Sequence, residues 1–362
     1  MFNRSFRNRS SFSYVQAATA VLAFGLVITS VEAGDTHTVY VGAGETLSVD
    51  DLAAGEFMGQ QFTLGPDTVI EVLDGGTLAR IPSRFGIGFN LRGTKINVRE
   101  GGVFNPTIGF PSDPCVVFNG RIELFEGGLI EEAFGTGGGT ELIYSGGRND
   151  DSMAVRSGST LRISDGVAHR AAISRTSIEM TGGALGLSTT INSSTGTLSN
   201  GSLGVFARIG GESHLTMENF SVSTTLRVFN TTQIEFLSGT IGDRLTLNDA
   251  AVMRIHAGTV GDEVRILDQS TLHLFVNEAR LDGVIQEIAI GETIVLDQRD
   301  DSLLEVLLRD GTMNDFRLSD TAMLGEDVFA NTSTLMITRV PGSSTVSALS
   351  FGLLIASRRR RS

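Results

Sequence analysis

The 362-residue chain has no tryptophan, three tyrosines, six prolines, one cysteine and one lysine, Lys95. A lone Cys115 cannot close an internal disulfide, which excludes a disulfide-stapled scaffold. Beside Val116 and Val117 it reads as a small buried hydrophobe. So few prolines exclude a proline-rich stalk. Basic charge is scarce too. Setting aside three Arg and one Glu before residue 34 and four Arg at the end, the body keeps 21 of 28 basic and 40 of 41 acidic residues. Such a body repels nucleic acid, whose binding rests on basic patches meeting phosphates, so no nucleic-acid partner is expected. Motifs for chemistry are missing as well. His37, His169, His214, His256 and His273 show no metal-ligand spacing and no His-Glu-x-x-His. His256 and His273 fall in strand-like segments and read as structural residues. There is no Gly-x-Ser-x-Gly elbow. Gly137-Gly138-Gly139 lacks the lysine of a phosphate loop and reads as a turn.

What the chain has in plenty is glycine, 44 residues, which would each cost a helix about 1 kcal/mol relative to alanine. The glycines mark a repeat. Ile70 and Val72, Ile96 and Val98, and Ile122 and Leu124 each flank one residue and stand at fixed distances before Gly75-Gly76, Gly101-Gly102 and Gly127-Gly128. Apolar residues at period two are the signature of a strand with one face inward. Glycine pairs let the chain turn sharply at low steric cost. Looser copies carry the pattern on, with marker glycines at 76, 102, 128, 147, 166, 183, 211, 239 and 258. Strand-turn units at such steps predict stacked coils, with Ile70, Ile96 and Ile122 forming an interior ladder. Residues 79–93, 105–119 and the Ser/Thr/Gly-rich 184–210 read as loops leaving one corner. Strand-like segments after residue 276, including 292–296, 303–308, 315–318 and 334–338, read as a cap over the open end.

Both termini point to export. Arg4, Arg7 and Arg9 precede an apolar run from Ala17 to Val31, which ends in Val31-Glu32-Ala33. That is the three-part layout of a cleavable secretory signal, with cleavage expected after Ala33. At the other end, an apolar run of about a dozen residues, short for a bilayer span, precedes Arg358, Arg359, Arg360 and Arg361. The tail resembles the PEP-CTERM sorting signal of bacterial exosortase substrates. Val340, Pro341, Ser344 and Thr345 match that motif, and Gly342 and Ser343 stand where Glu and a second Pro occur. The resemblance implies a bacterial envelope, cell-surface or extracellular protein, transiently anchored by its tail and handled by an exosortase-like enzyme. The glycine-rich repeat also resembles adhesin and autotransporter passengers.

Two acidic pairs are the candidate ligand positions, Asp150 with Asp151 and Asp300 with Asp301. Carboxylates on adjacent coils offer oxygens to Ca²⁺, which takes six to eight; solvated turn acids are the commoner arrangement. No other cofactor and no catalytic residue is expected.

The expected fold is all-β: a right-handed parallel β-helix over 67–275, with a signal peptide at 1–33, an N-terminal cap at 34–66, a small C-terminal β cap at 276–339 and a sorting tail at 340–362. An antiparallel sandwich or propeller competes, since glycine pairs also close hairpins. The expected function is a structural or adhesive protein of the envelope or extracellular matrix, not an enzyme. Its partners would be the export machinery, signal peptidase, an exosortase-like enzyme, and surface glycans or other matrix proteins. The rival is a secreted polysaccharide lyase or glycoside hydrolase on the same scaffold.

Overall fold

The computed structural model describes residues 37–50, 54–57, 60–81, 89–106, 115–321 and 326–342. Contacts divide the chain into Met1–Asp35 and Thr36–Ser362, and every described residue lies in the second unit. The predicted signal peptide and the tail beyond Gly342 lie outside the described residues. Within them the chain is strand and turn, with no helix.

The segment Thr68–Val72 shows why strands form here. Its alternation turns Ile70 and Val72 inward and leaves Glu71 outward. It lies parallel between His37–Val41 and Lys95–Val98, so Val39, Ile70 and Ile96 stack in register. The column continues through Ile122, Leu142, Leu161 and Ile178, as the repeat predicts for its first members. Each buried Ile or Leu contributes about 1.5–3 kcal/mol.

Three such parallel ladders form the three faces of a solenoid. The first runs from His37–Val41 to Thr334–Arg339, the second from Thr46–Asp50 to Thr259–Val260, and the third from Phe89–Asn90 to Val328–Phe329. Between Ile122 and Leu272 the chain completes eight close-wound turns of 17–20 residues. Parallel pairing throughout these turns excludes the antiparallel sandwich and propeller.

Two corners decide the register. Where the first face meets the second, Gly76, Gly102, Gly128, Gly147, Gly166 and Gly183 stack as the marker glycines predict. The column then passes through Gly201 and Phe220 before Gly239 and Gly258, so Gly211 does not belong to it. The predicted interval from 183 to 239 therefore holds three turns rather than two. The close approach explains the glycines: a Cβ on Gly239 would sit 2.0 Å from the Phe220 carbonyl oxygen. Gly211 instead serves the corner leading into the first face. There it is left-handed (φ 68°), as are Ser193, Asn230 and Asp249.

That second corner carries a column absent from the sequence expectations. From Lys95–Val98 onward, the residue just before each first-face strand is Thr94, Thr140, Ser159, Thr176, Ser194, Ser213, Thr232, Ser270 or Ser333, interrupted by Gly120 and Ala251, and all nine hydroxyl residues are buried. Their hydroxyls donate to backbone carbonyls, Thr140 to Val117 at 2.9 Å and Ser159 to Gly137 at 2.8 Å. Both carbonyls also accept a backbone N–H, from Gly137 and Thr140, so each hydroxyl satisfies its own donor on a carbonyl's second lone pair. Residues 184–210 are a further correction. Their hydroxyl-rich sequence forms the strands Ala184–Leu185, Thr190–Asn192, Thr195–Ser199, Ser202–Leu203 and Ala207–Gly210, not a protruding loop.

Antiparallel strands stop both ends. The hairpin of Ala54–Phe57 and Gln60–Thr63 pairs with Thr46–Asp50. At the far end Thr293–Leu296 runs antiparallel to Thr334–Arg339, and Asp300–Leu308 with Met313–Ser319 extends the outer half of Thr271–Leu281. Thr334–Arg339 itself lies parallel on Thr271–Leu281, so the strand read from sequence as part of the cap is the last rung of the first face.

The hydroxyl column is testable at Ser213, which accepts the Ser194 N–H at 3.1 Å and donates to the Gly210 carbonyl at 2.6 Å. Ser213→Ala leaves the Ser194 N–H buried and unpaired, while the Gly210 carbonyl keeps the Ser193 N–H. Stability is expected to fall by about 2 kcal/mol, measured as a lower urea midpoint at unchanged slope. Ser221→Ala, on the exposed side of the second face, is expected to stay within about 0.5 kcal/mol of wild type. Equal losses in the two variants would remove the column as a stabilising element.

Candidate functional site

The acidic pairs are held locally. Asp150 pairs with Arg148 at 2.8 Å, both largely exposed, and Asp151 accepts the Ser152 N–H at 2.6 Å. Asp300 accepts the Ser302 hydroxyl at 2.6 Å. Asp301 is clasped by Arg317, whose Nε donates at 2.7 Å, and this hydrogen bond holds the carboxyl below its usual range. The two pairs stand on separate elements, one in the turn after Glu141–Asn149 and the other opening Asp300–Leu308. Among the described residues no three His, Cys, Asp or Glu side chains gather to hold a metal ion.

The histidines read as structural have partners. His256 contacts Glu235 through Nε2 and stacks on Phe275, with ring centroids 4.1 Å apart. His273 Nε2 lies 2.7 Å from Thr338 Oγ1, and burial holds its pKa below the usual value. Cys115 pairs with Phe134 in the third-face ladder. Of the sorting residues, Val340 donates its N–H to the Val276 carbonyl at 2.8 Å and Pro341 is exposed. Ser344, Thr345 and Arg358–Arg361 lie outside the described residues.

The outward row of the third face has a composition unlike the rest. In register it reads Val116, Gly135, Ala154, Ala172, Thr190, Arg208, Arg227, Thr246, Arg265. The row starts flat and small, turns basic, and holds no carboxylate. Arg208 and Arg227 are direct neighbours across the ladder and exposed. Stacked like charges oppose each other at roughly 4.8 Å of strand spacing. Neither guanidinium has a hydrogen-bond or ion-pair partner among the described residues.

On the first face the same residue type is paired. Arg121 bridges Glu123 at 2.6 Å and Glu141 at 3.6 Å, and Arg162 bridges Glu141 at 2.6 Å and Glu179 at 3.2 Å. Arg99 pairs with Glu71 at 2.7 Å and lies over the Phe125 ring. The outward arginines of the first-face strands Arg121–Phe125, Thr160–Ala168 and Val252–Ile255 are thus paired, while Arg208 and Arg227 of the third face are not.

Beside them is a cleft of about 430 Å³ lined by Ser188, Thr190, Phe206, Ala207, Arg208, Thr225 and Arg227. Phe206 is 58% exposed and left-handed, with φ 61°. A bulky side chain in that region is an outlier that costs about 1–2 kcal/mol. Its register neighbours Arg170 (φ 42°) and Ser188 (φ 57°) share the left-handed turn, so this corner of the coil imposes it and Phe206 is its bulkiest apolar occupant. The cleft therefore joins an aromatic face, two unpaired guanidinium groups and three hydroxyl residues.

No protein-family model, curated protein or solved structure matches the chain. The site rests on its own geometry. The signal for it was present in the sequence as Ala207-Arg208-Ile209 and Leu226-Arg227-Val228, an outward Arg between inward apolar residues, recurring after 19 positions. Taking Gly211 as a turn marker spreads that interval over the wrong number of coils and hides the match.

The strain at Phe206 yields a prediction. Phe206→Gly is expected to leave the fold intact and to raise its stability by up to about 1 kcal/mol, since glycine meets no steric penalty at positive φ. Thermal unfolding measures it; a clear drop in Tm would show that the ring is a packing element.

Proposed function

We propose that this chain is an exported bacterial protein of the envelope or extracellular matrix that works as an adhesive or structural rod. The observation that carries the reading is the third face, where an exposed aromatic at positive φ and two adjacent, unpaired arginines share one cleft. A surface that keeps cations unpaired next to an exposed ring is suited to holding a partner. The coil is right-handed, the hand that parallel crossovers take. The three-part N-terminus supports passage through the export machinery and removal of residues 1–33 by signal peptidase. The Val340-Pro341 segment, the apolar run and the four terminal arginines support transient membrane retention and handling by an exosortase-like enzyme.

The rival reading, a glycan-cleaving enzyme, draws on the same cleft, because arginine serves in sugar chemistry. Against it, the cleft lining holds no carboxylate to act as acid, base or nucleophile.

Two measurements test the proposal. Expressed with its own signal in a bacterial host, the exported protein is expected to begin at Gly34 by mass spectrometry; an uncleaved chain retained in the cytoplasm would overturn the export reading. Incubated with acidic and neutral polysaccharides, the purified protein is expected to release no new reducing ends and no unsaturated sugars. Turnover abolished by Arg208→Gln would establish the enzyme in place of the adhesive rod.

A further inference from the structure

Resting on the reading of an exported rod, we infer that the Phe206–Arg208–Arg227 cleft binds an acidic polysaccharide, a chain whose sugars carry carboxylates, lying along the solenoid axis on the third face.

Four observations lead there. First, the charge is local. From Ala171 to Thr232 the third-face strands and the corners before and after them carry Arg175, Arg208 and Arg227, with Glu212 as the sole acid. The whole chain is at −13, so acids were not in short supply. Second, the arginines are unsatisfied. Like charges placed directly across a ladder repel, and a carboxylate lying over both relieves that repulsion with charge-assisted hydrogen bonds. Third, the companions are those a sugar needs. An exposed ring offers an apolar face to a pyranose, and Ser188, Thr190 and Thr225 offer hydroxyls that both donate and accept. Fourth, the shape is a track. Thr190, Ala172, Ala154 and Gly135 continue the row away from the arginines without a large side chain. A polymer running along the row meets a repeating surface at the coil spacing, with Arg175 at the adjacent corner. That corner forms a second cleft, of about 570 Å³, lined by Arg175, Ser193, Gly211, Glu212, Asn230 and Thr231.

Nucleic acid is the less suited polyanion. It carries about one charge per 1.7 Å of duplex, and the remainder of this protein repels a polymer of that density. A carboxylated polysaccharide carries no more than about one charge per sugar and makes its remaining contacts through hydroxyls and ring faces.

The experiment uses the purified exported protein, with polygalacturonate as probe, dextran as the neutral polymer and duplex DNA as the dense polyanion, followed by calorimetry. Binding to polygalacturonate is expected, with none to dextran. Arg208→Gln and Arg227→Gln are each expected to weaken it about tenfold. Phe206→Gly is expected to weaken it without lowering Tm, which separates lost contact from lost fold. Arg162→Gln, taken from the paired first face, is expected to bind as wild type. Raising salt should weaken binding with a slope of about two ions, one for each guanidinium.

Equal binding by the Arg208→Gln and Arg162→Gln variants overturns the inference, as does dextran binding of the same strength. Tighter, Arg208-dependent binding of DNA overturns it in favour of a nucleic-acid surface. Export without polygalacturonate binding removes this inference and leaves the rod reading standing. Binding by a chain that is not exported removes the location and leaves the ligand.

Discussion

The backbone hydrogen bonds between coils fix everything else in this molecule. Each parallel ladder sets a residue directly on the one a turn earlier, so Val39, Ile70, Ile96 and Ile122 stand in one line. A position in such a fold is shared by a whole column. What a corner demands of one coil it demands of the next. The glycine column meets a carbonyl that approaches too closely for a Cβ. The hydroxyl column gives a second donor to carbonyls that already accept a backbone N–H. The interior columns meet only each other and are apolar almost throughout.

The exceptions to a column show what the constraint costs. Asn149 lies in an interior column between Ile130 and Ala168 and is fully buried. Its side-chain oxygen accepts the Tyr144 hydroxyl at 3.1 Å and the His169 N–H at 3.0 Å, and its amide donates to the Asp151 carbonyl. A buried amide is tolerable when its hydrogen bonds are made. Burial in turn pushes the Tyr144 phenol far above its ordinary range, which keeps the hydroxyl protonated as the donor this pair needs. At the ends the column logic has no next coil. There the chain turns antiparallel, and the open edges of Thr46–Asp50 and Thr334–Arg339 gain partners that do not continue the solenoid.

This explains which parts of the structure were legible in the sequence. Period two and Gly-Gly identified the first face and the glycine corner, because both constraints fall on residue types with few substitutes. The hydroxyl corner was not legible, because Ser and Thr in a glycine-rich stretch also suit an exposed loop. That ambiguity turned 184–210 into a loop on paper while the chain forms five short strands there. The left-handed corner accepts Gly, Asn, Asp, Ser and even Arg175, so Gly211 there looked like a marker of the other corner. The acids at 150–151 and 300–301 attracted attention as pairs in sequence, yet each is satisfied by a neighbour on its own turn or hairpin. The arginines of the third face were separated by 19 residues, and only the correct register brings them together.

The same column rule bears on why the cleft sits where it does. On the first face Arg121, Arg162 and Arg254 each lie against a Glu on an adjacent strand. Substituting a single acid next to Arg208 would have done the same on the third face. Thr190 stands in register on one side, and on the other Arg227 is followed by Thr246, so neither step supplies an acid. Farther along, Arg265 does find one: it lies 3.7 Å from Glu263, which also binds Arg244. Pairing resumes where the third face approaches the C-terminal strands, and Asp327 accepts the Val264 N–H at 2.6 Å there. The unpaired stretch is thus bounded, with small residues at one end and ion pairs at the other. Repulsion between stacked guanidinium groups works against the fold and is offset by nothing within the described chain. The exposed ring of Phe206 stands beside them at the same cleft.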